Sequence, residues 1–211
     1  MANFRARDGP GQNTPNAAYA VAVCGPIGAG KTTVLRALAA RYRWDIVSFG
    51  DYVRGVADAQ GLAAGRSTWQ ELGARLLADL GPAELVHRVL AAAAPSSAVH
   101  LYDGVRHIAV VAELDRRYDH LVVVYIDLPV THRYARWVTR QRAGDPDASP
   151  EGFRRISEQQ IERGVAAIRS VADAIIDGRA PMPRLLDHLE RLVTERGYPL
   201  EGPPGSTKAH L

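Results

Sequence analysis

Cysteine is nearly missing from this chain. Cys24 is the only one in 211 residues, so a disulfide framework and a cysteine-built zinc site are both excluded. No run of about 18 apolar residues occurs, which leaves no candidate transmembrane helix. The N-terminus lacks the apolar core that a secretory signal needs. A reducing cytoplasm is therefore the expected compartment, with no membrane partner. There is no internal repeat and no sustained heptad. An Asn-Lys-x-Asp stretch, which would point to guanine specificity, is also missing. Charge of one sign hardly dominates: the formal net charge is +3 and the pI near 9.2. That mild excess suits small anionic substrates as well as it suits nucleic acid.

What remains is ordinary globular material. Hydrophobic residues make up 46% and charged residues 23%, enough for one sizeable core with a small lid. One stretch organises the rest. Val21-Ala22-Val23-Cys24 reads as a buried strand. It runs into Gly25-Pro26-Ile27-Gly28-Ala29-Gly30-Lys31-Thr32, followed by Thr33, which fits G-x-x-x-x-G-K-[ST]. Val34, Leu35 and Leu38 then recur at helical spacing. Strand, glycine-rich loop and helix together are the context that gives this motif its meaning. Glycines let the backbone curl until its N–H groups face phosphate oxygens, and the helix N-terminus adds partial positive charge. Lys31 would reach the β- and γ-phosphates, and the Thr32 hydroxyl would ligate Mg²⁺.

Along the chain, residues 1–18 read as a flexible leader, 19–200 as a single domain and 201–211 as a disordered tail. Helix is expected over Lys31–Tyr42, and strand over Asp45–Phe49. Gly50-Asp51 then turns the chain into a helix from Tyr52 to Ala59. Gly65-Arg66-Ser67-Thr68 is a loop, with Ser67 or Thr68 as a helix cap. Trp69, Leu72, Leu76, Leu77 and Leu80 give the next helix its apolar face. Gly81-Pro82 breaks it, and another helix runs to Ala94. Ala98–Tyr102 is a third strand, Ile108–Tyr118 a helix, and Leu121–Ile126 a fourth strand, apolar on both faces. A helix opens at Pro129. A polar break follows at 144–150, then a long helix to about Ala172, a short strand Ala174–Ile176 and a closing helix Met182–Arg196. Alternating strands and helices imply a parallel sheet covered on both faces. Ligands bind beyond the carboxyl ends of such strands, where Gly25, Asp51, Asp103 and Asp127 are expected.

These residues resemble the P-loop nucleoside monophosphate kinase superfamily. Besides the phosphate loop, Ser48-Phe49-Gly50-Asp51-Tyr52-Val53-Arg54 is similar to the segment after the second strand in adenylate-kinase-like proteins. Asp103-Gly104-Val105-Arg106 resembles their Asp-Gly-x-x-Arg, with the arginine one place earlier. Thr131 to Arg142 resembles their arginine-bearing lid, here short and without zinc cysteines. Dephospho-coenzyme A kinases and phage deoxynucleotide kinases share much of the layout. The resemblance implies an α/β fold of three layers, α/β/α, with a five-stranded parallel sheet in the order 2-3-1-4-5. A helical acceptor-binding insertion would span about 51–94 and the lid about 131–155. ATP and Mg²⁺ would be the cofactors, and the partner a small phosphate acceptor, expected to be a (deoxy)nucleoside monophosphate.

Individual residues carry alternatives. Asp51 could orient or deprotonate the acceptor, or hold Mg²⁺ through water, or simply cap a helix. Asp103 is placed to complete the Mg²⁺ shell with Thr32. Arg54, Arg66 and Arg106 are candidate acceptor ligands, against plain solvated arginines. Arg133, Arg136 and Arg140 share one helix face, with no acid between Thr131 and Arg142. Arg136 and Arg140 are expected to stabilise charge on the moving phosphoryl group, against pairing with Glu158 or Glu162. Arg154 and Arg155 could close the lid from its far side. His100, His107, His120 and His132 show no metal-ligand spacing, and Trp69 and Trp137 read as packing residues. A dephospho-coenzyme A kinase, a nucleotide-dependent switch and a nucleic-acid-binding protein are the competing readings. The last would need a basic surface interleaved with aromatics, and the lid arginines are the only basic cluster.

Overall fold

A computed structural model describes residues 18–140, 149–158 and 160–200, with the side chains of 158 and 160–163 outside that description. Five strands form one parallel sheet: β1 (Tyr19–Cys24), β2 (Asp45–Ser48), β3 (Val99–Asp103), β4 (His120–Asp127) and β5 (Ala174–Asp177). Their order is β2-β3-β1-β4-β5, as the resemblance implies. β1 lies in the middle, in register with β3 from Tyr19 opposite Val99 and with β4 from Tyr19 opposite His120. Parallel strands of this kind must be covered on both sides, so they are apolar throughout. Residues 121–126 are all buried.

The two-residue period of β1 divides the core. Ala20, Ala22 and Cys24 face one layer, which includes α3 (Arg66–Ala93), α4 (Ile108–Arg117) and α7 (Gln160–Ile168). Val21 and Val23 face the other, with α1 (Lys31–Tyr42) and α8 (Met182–Glu195). The small residues thus sit under the larger helical layer. A third cluster joins Ile27 of the phosphate loop to Trp137 of α5 (Val130–Arg140) and Phe153 of α6 (Pro150–Glu158). No described helix is long and apolar enough to cross a membrane.

Several boundaries differ from the sequence reading, each for a local reason. α2 begins at Phe49 and runs to Ala59, because the Ser48 hydroxyl accepts the Asp51 N–H at 3.1 Å and caps the helix. Asp51 therefore sits in the first helical turn instead of following the strand. Gly65, not Ser67 or Thr68, precedes α3. Gly81, at φ +71°, kinks α3 where two helices meet at Pro82. The expected long helix after the polar break is described as α6 and α7. The leader to residue 17, the lid tip at 141–148 and the tail from 201 lie outside the described residues.

The end of the domain is tied to its centre by one side chain. The Tyr198 hydroxyl reaches the Ala20 and His120 carbonyls at 2.7 and 2.9 Å, bridging β1 and β4. Its ring packs 4.8 Å from that of Tyr19. Tyr198→Phe keeps the ring and removes the hydroxyl, so it should cost about 1 kcal/mol. Thermal unfolding should then show a Tm lower by roughly 2–4 °C.

Candidate active site

The phosphate loop is built by close approach. Gly25 and Gly28 adopt φ +140° and +81°. A Cβ on Gly25 would stand 2.5 Å from the Ile126 carbonyl oxygen, and one on Gly28 would stand 2.7 Å from that of Arg133. The loop is thus pressed between the end of β4 and the first turn of α5, with room for no side chain at either point. No side chain caps the N-terminus of α1, so the dipole at that end is directed into the loop. Lys31 Nζ donates to the Gly25 and Pro26 carbonyls at 2.7 and 2.9 Å. The ammonium therefore lies across the loop where phosphates would sit. Behind it Cys24 is fully buried, and burial pushes its thiol up to about 12 against the opposing pull of Lys31. It is an inert packing residue.

The expected metal pair is in contact. Thr32 Oγ1 donates to Asp103 Oδ2 at 3.0 Å, across 71 residues of sequence. α1 supplies the hydroxyl, and the last residue of β3 supplies the carboxylate. Both are hard oxygen donors, which fit Mg²⁺ when nucleotide phosphates and water complete the shell. Among the described residues no group of three or more His, Cys, Asp or Glu could hold a metal alone.

α5 stands over the loop. Arg136 Nη1 donates to the Ala29 carbonyl at 3.2 Å, and Nη2 donates to that of Gly178 at 2.8 Å. It links the phosphate loop to the turn after β5. Arg133 turns inward. It donates to the Leu128 and Ile27 carbonyls at 3.1 and 3.4 Å and lies 5.6 Å above the Phe153 ring. Arg140, one helical turn beyond Arg136, is exposed. Trp137 is fully buried against Phe153, with ring centroids 5.4 Å apart. It is the packing residue expected. The described acid partner of Arg154 is Glu151 at 3.7 Å, on an exposed surface. The proposed Glu158 and Glu162 alternatives lie outside the described side chains.

A second space opens beside this one. A cavity of about 430 Å³ is walled by α2, α3 and the β3–α4 loop. Arg54 from α2, Arg66 from α3 and Arg106 from the loop all line it, with Phe49 and Trp69. No carboxylate belongs to its described lining. The two spaces are joined by consecutive residues: Asp103 touches Thr32, and Gly104 lines the cavity. His107 is also in the wall. Burial, reinforced by the adjacent Arg106, pushes its pKa below the usual histidine value and favours the neutral ring.

Comparison with known proteins bears on the fold. Residues 24–154 match a family described as "AAA domain". The chain belongs to this AAA-domain family of P-loop proteins. No curated protein matches it by sequence. Among solved structures, a putative kinase from Chloroflexus aurantiacus superposes at TM-score 0.55 and 16% identity, covering 83% of this chain and 98% of the other. A shikimate kinase from Bacteroides thetaiotaomicron gives 0.53 at 16% identity, over 83% and 98%. A sugar kinase from Janibacter sp. HTCC2649 gives 0.51 at 14%, over 83% and 94%. At such identities the likeness is one of fold.

The AAA-domain fold brings together Lys31, Thr32, Asp103 and Arg136 at the loop, and Arg54, Arg66 and Arg106 at the cavity. It does not bring Asp51 into that cavity wall. Asp51 lines a separate groove between α2, β2 and the C-terminal part of α3, with Gly55 and Val89, and its carboxylate pairs with Arg54. Asp127, expected at the binding edge, is exposed and pairs with Arg169 at 3.3 Å. Two cavity residues were read chiefly as structure, Trp69 as packing ahead of a base-stacking platform. Trp69 was absorbed into the apolar face of α3, and His107 lacked a metal-ligand spacing. The adjacency of His107 to Arg106 was its only signal. In this AAA-domain protein the contact of the loop with α5 is made at Gly28. Gly28→Ala should displace the loop from α5 and strain a backbone at positive φ, at a cost on the order of 1–3 kcal/mol. Titration with a fluorescent ATP analogue should show binding weakened at least tenfold, while far-UV circular dichroism is preserved.

Proposed function

We propose that the protein is an ATP-dependent phosphotransferase that moves the γ-phosphate of ATP to a small phosphorylated acceptor, a (deoxy)nucleoside monophosphate. The observation that carries this reading is the convergence of Arg54, Arg66 and Arg106, from three separate elements, on one cavity that adjoins the phosphate loop. Guanidinium forks match phosphate oxygens in a planar, bidentate way. The aromatic and aliphatic remainder of the wall suits a nucleoside body.

The chain's own residues divide the work. The loop from Gly25 to Thr33 would hold the ATP phosphates. Lys31 would turn from the Gly25 and Pro26 carbonyls onto the β- and γ-phosphates. Thr32 and Asp103 would hold Mg²⁺, which supplies neutralising charge at the phosphates when bound. Arg136, with Arg140 further along α5, would meet charge that develops on the moving phosphoryl group. Closure of α5 and α6 would exclude water and suppress wasteful hydrolysis. A hydroxyl acceptor carrying its anionic group elsewhere, as in a dephospho-coenzyme A kinase, is the competing reading. The shikimate and sugar kinases that share the fold keep it in view.

A panel of nucleoside monophosphates, dephospho-coenzyme A and shikimate, assayed with labelled ATP, separates these readings. Transfer to one or more nucleoside monophosphates supports the proposal, and transfer only to the other two overturns it. Lys31→Ala should abolish transfer without unfolding the protein, since loss of such a contact typically costs about 2.7–4 kcal/mol in the barrier. Retained turnover by a folded variant would remove the assignment. Arg106→Lys keeps the charge but loses the fork. It should lower kcat/KM for the acceptor roughly tenfold, or about 1.4 kcal/mol, with little change in ATP affinity. It should also narrow the preference for a nucleotide over its nucleoside.

A further inference from the structure

Arg54 is held on two sides where it lines the cavity. Its guanidinium lies 5.6 Å from the centre of the Trp69 ring, across the gap between α2 and α3. Its Nη2 donates to Asp51 Oδ1, one turn back on α2. Gly50 lies beside it: a Cβ there would stand 3.4 Å from Nη1, an ordinary contact. One edge and one face thus hold a side chain that otherwise has many rotamers.

Little in this arrangement serves folding. The Asp51 and Arg54 side chains are 72% and 43% exposed, and exposed pairs contribute little to stability. The arrangement does serve binding, because a group fixed beforehand loses less freedom when its ligand arrives. The placement of Asp51 also argues against proton transfer. A general base must come within hydrogen-bond reach of the proton it takes. Asp51 lines the separate groove between α2, β2 and α3, and its carboxylate is engaged by Arg54.

We propose that Asp51 and Trp69 are positioning residues that hold the Arg54 guanidinium ready as the acceptor clamp, and that Asp51 takes no proton in the reaction. The proposal rests on the reading of Arg54 as an acceptor ligand. It assigns the exposed acid of Phe49-Gly50-Asp51-Tyr52-Val53-Arg54 to orientation, and gives Trp69 a role beyond packing.

Two measurements on the full chain test it. The first needs no substrate: ¹⁵N relaxation of the Arg54 Nε–Hε group. The group should be ordered in the unmodified protein, and mobile in both Asp51→Asn and Trp69→Leu. Trp69→Phe, which keeps an aromatic face, should restore part of the order. Equal mobility in all of these proteins overturns the proposal whether or not the enzyme reading stands. The second uses whichever nucleoside monophosphate the panel identifies. Asp51→Asn should raise its KM three- to tenfold, with a smaller fall in kcat and an unaltered kcat–pH profile. Added to Arg54→Ala, it should raise KM no further. A fall in kcat of a hundredfold or more, with loss of the acidic limb of the profile, would make Asp51 a base and overturn the proposal. An additive rise in KM would show that Asp51 does not act through Arg54, and would also overturn it. If Arg54→Ala leaves acceptor KM unchanged while the relaxation result holds, the fault lies in the cavity assignment and not in the positioning.

Discussion

The backbone-to-backbone contact of the phosphate loop with its two neighbours sets the geometry of everything around it. Gly25 lies against the end of β4, and Gly28 against the first turn of α5. Neither contact tolerates a Cβ, so the loop, the central strands and the first turn of α5 behave as one packed unit. Ile27, between the two glycines, extends that unit by inserting into the Trp137–Phe153 cluster. Helix α5 is therefore anchored on the phosphate loop. Arg136 needs only one helix's reach to touch both Ala29 and Gly178.

The two spaces of the site are coupled through the carboxyl end of β3. Asp103 closes the strand and meets Thr32, while Gly104, Val105 and Arg106 carry the chain into the cavity wall. A Cβ on Gly104 would stand 3.4 Å from the Gly50 nitrogen, so this loop also lies against the first turn of α2. Helix α7 presses on it from the other side: a Cβ on Gly164 would stand 2.8 Å from the Arg106 carbonyl oxygen. Arg106 is thus carried on a segment confined by α2 and α7, and Arg54 is fixed by its own neighbours. The cavity wall that carries these arginines is therefore braced and not a loose loop, which would suit the acceptor role proposed for it.

Legibility in the sequence followed the range of the interactions. The phosphate loop could be read almost completely, because its demands are local: glycines at positive φ, an uncapped helix start, a lysine and a hydroxyl at fixed spacing. The sheet could be read from apolar runs such as 121–126, and its order from the resemblance. The three cavity arginines, proposed on motif grounds, do share one space. The start of α2 was less legible, because one hydroxyl sets it: Ser48 caps the helix, which begins at Phe49 and carries Asp51 in its first turn. Trp69 was concealed by its own helix, since one apolar face can line a cavity and pack a core. The approach of Gly164 to Arg106 spans 58 positions and leaves no periodic trace.

The manner in which Arg54 and Arg136 are held also bears on the chemistry. Arg136 donates to carbonyl oxygens, which fix its direction but carry no net charge. A phosphoryl oxygen at the same place gives a charge-assisted bond, and such bonds are roughly twice as strong as neutral ones. An anion can therefore draw Arg136 away from its resting partners. Arg54 rests instead on a carboxylate and an aromatic face. Exchange of one anion for another gains less, so an arriving anion displaces Arg54 from its partners less readily than it displaces Arg136.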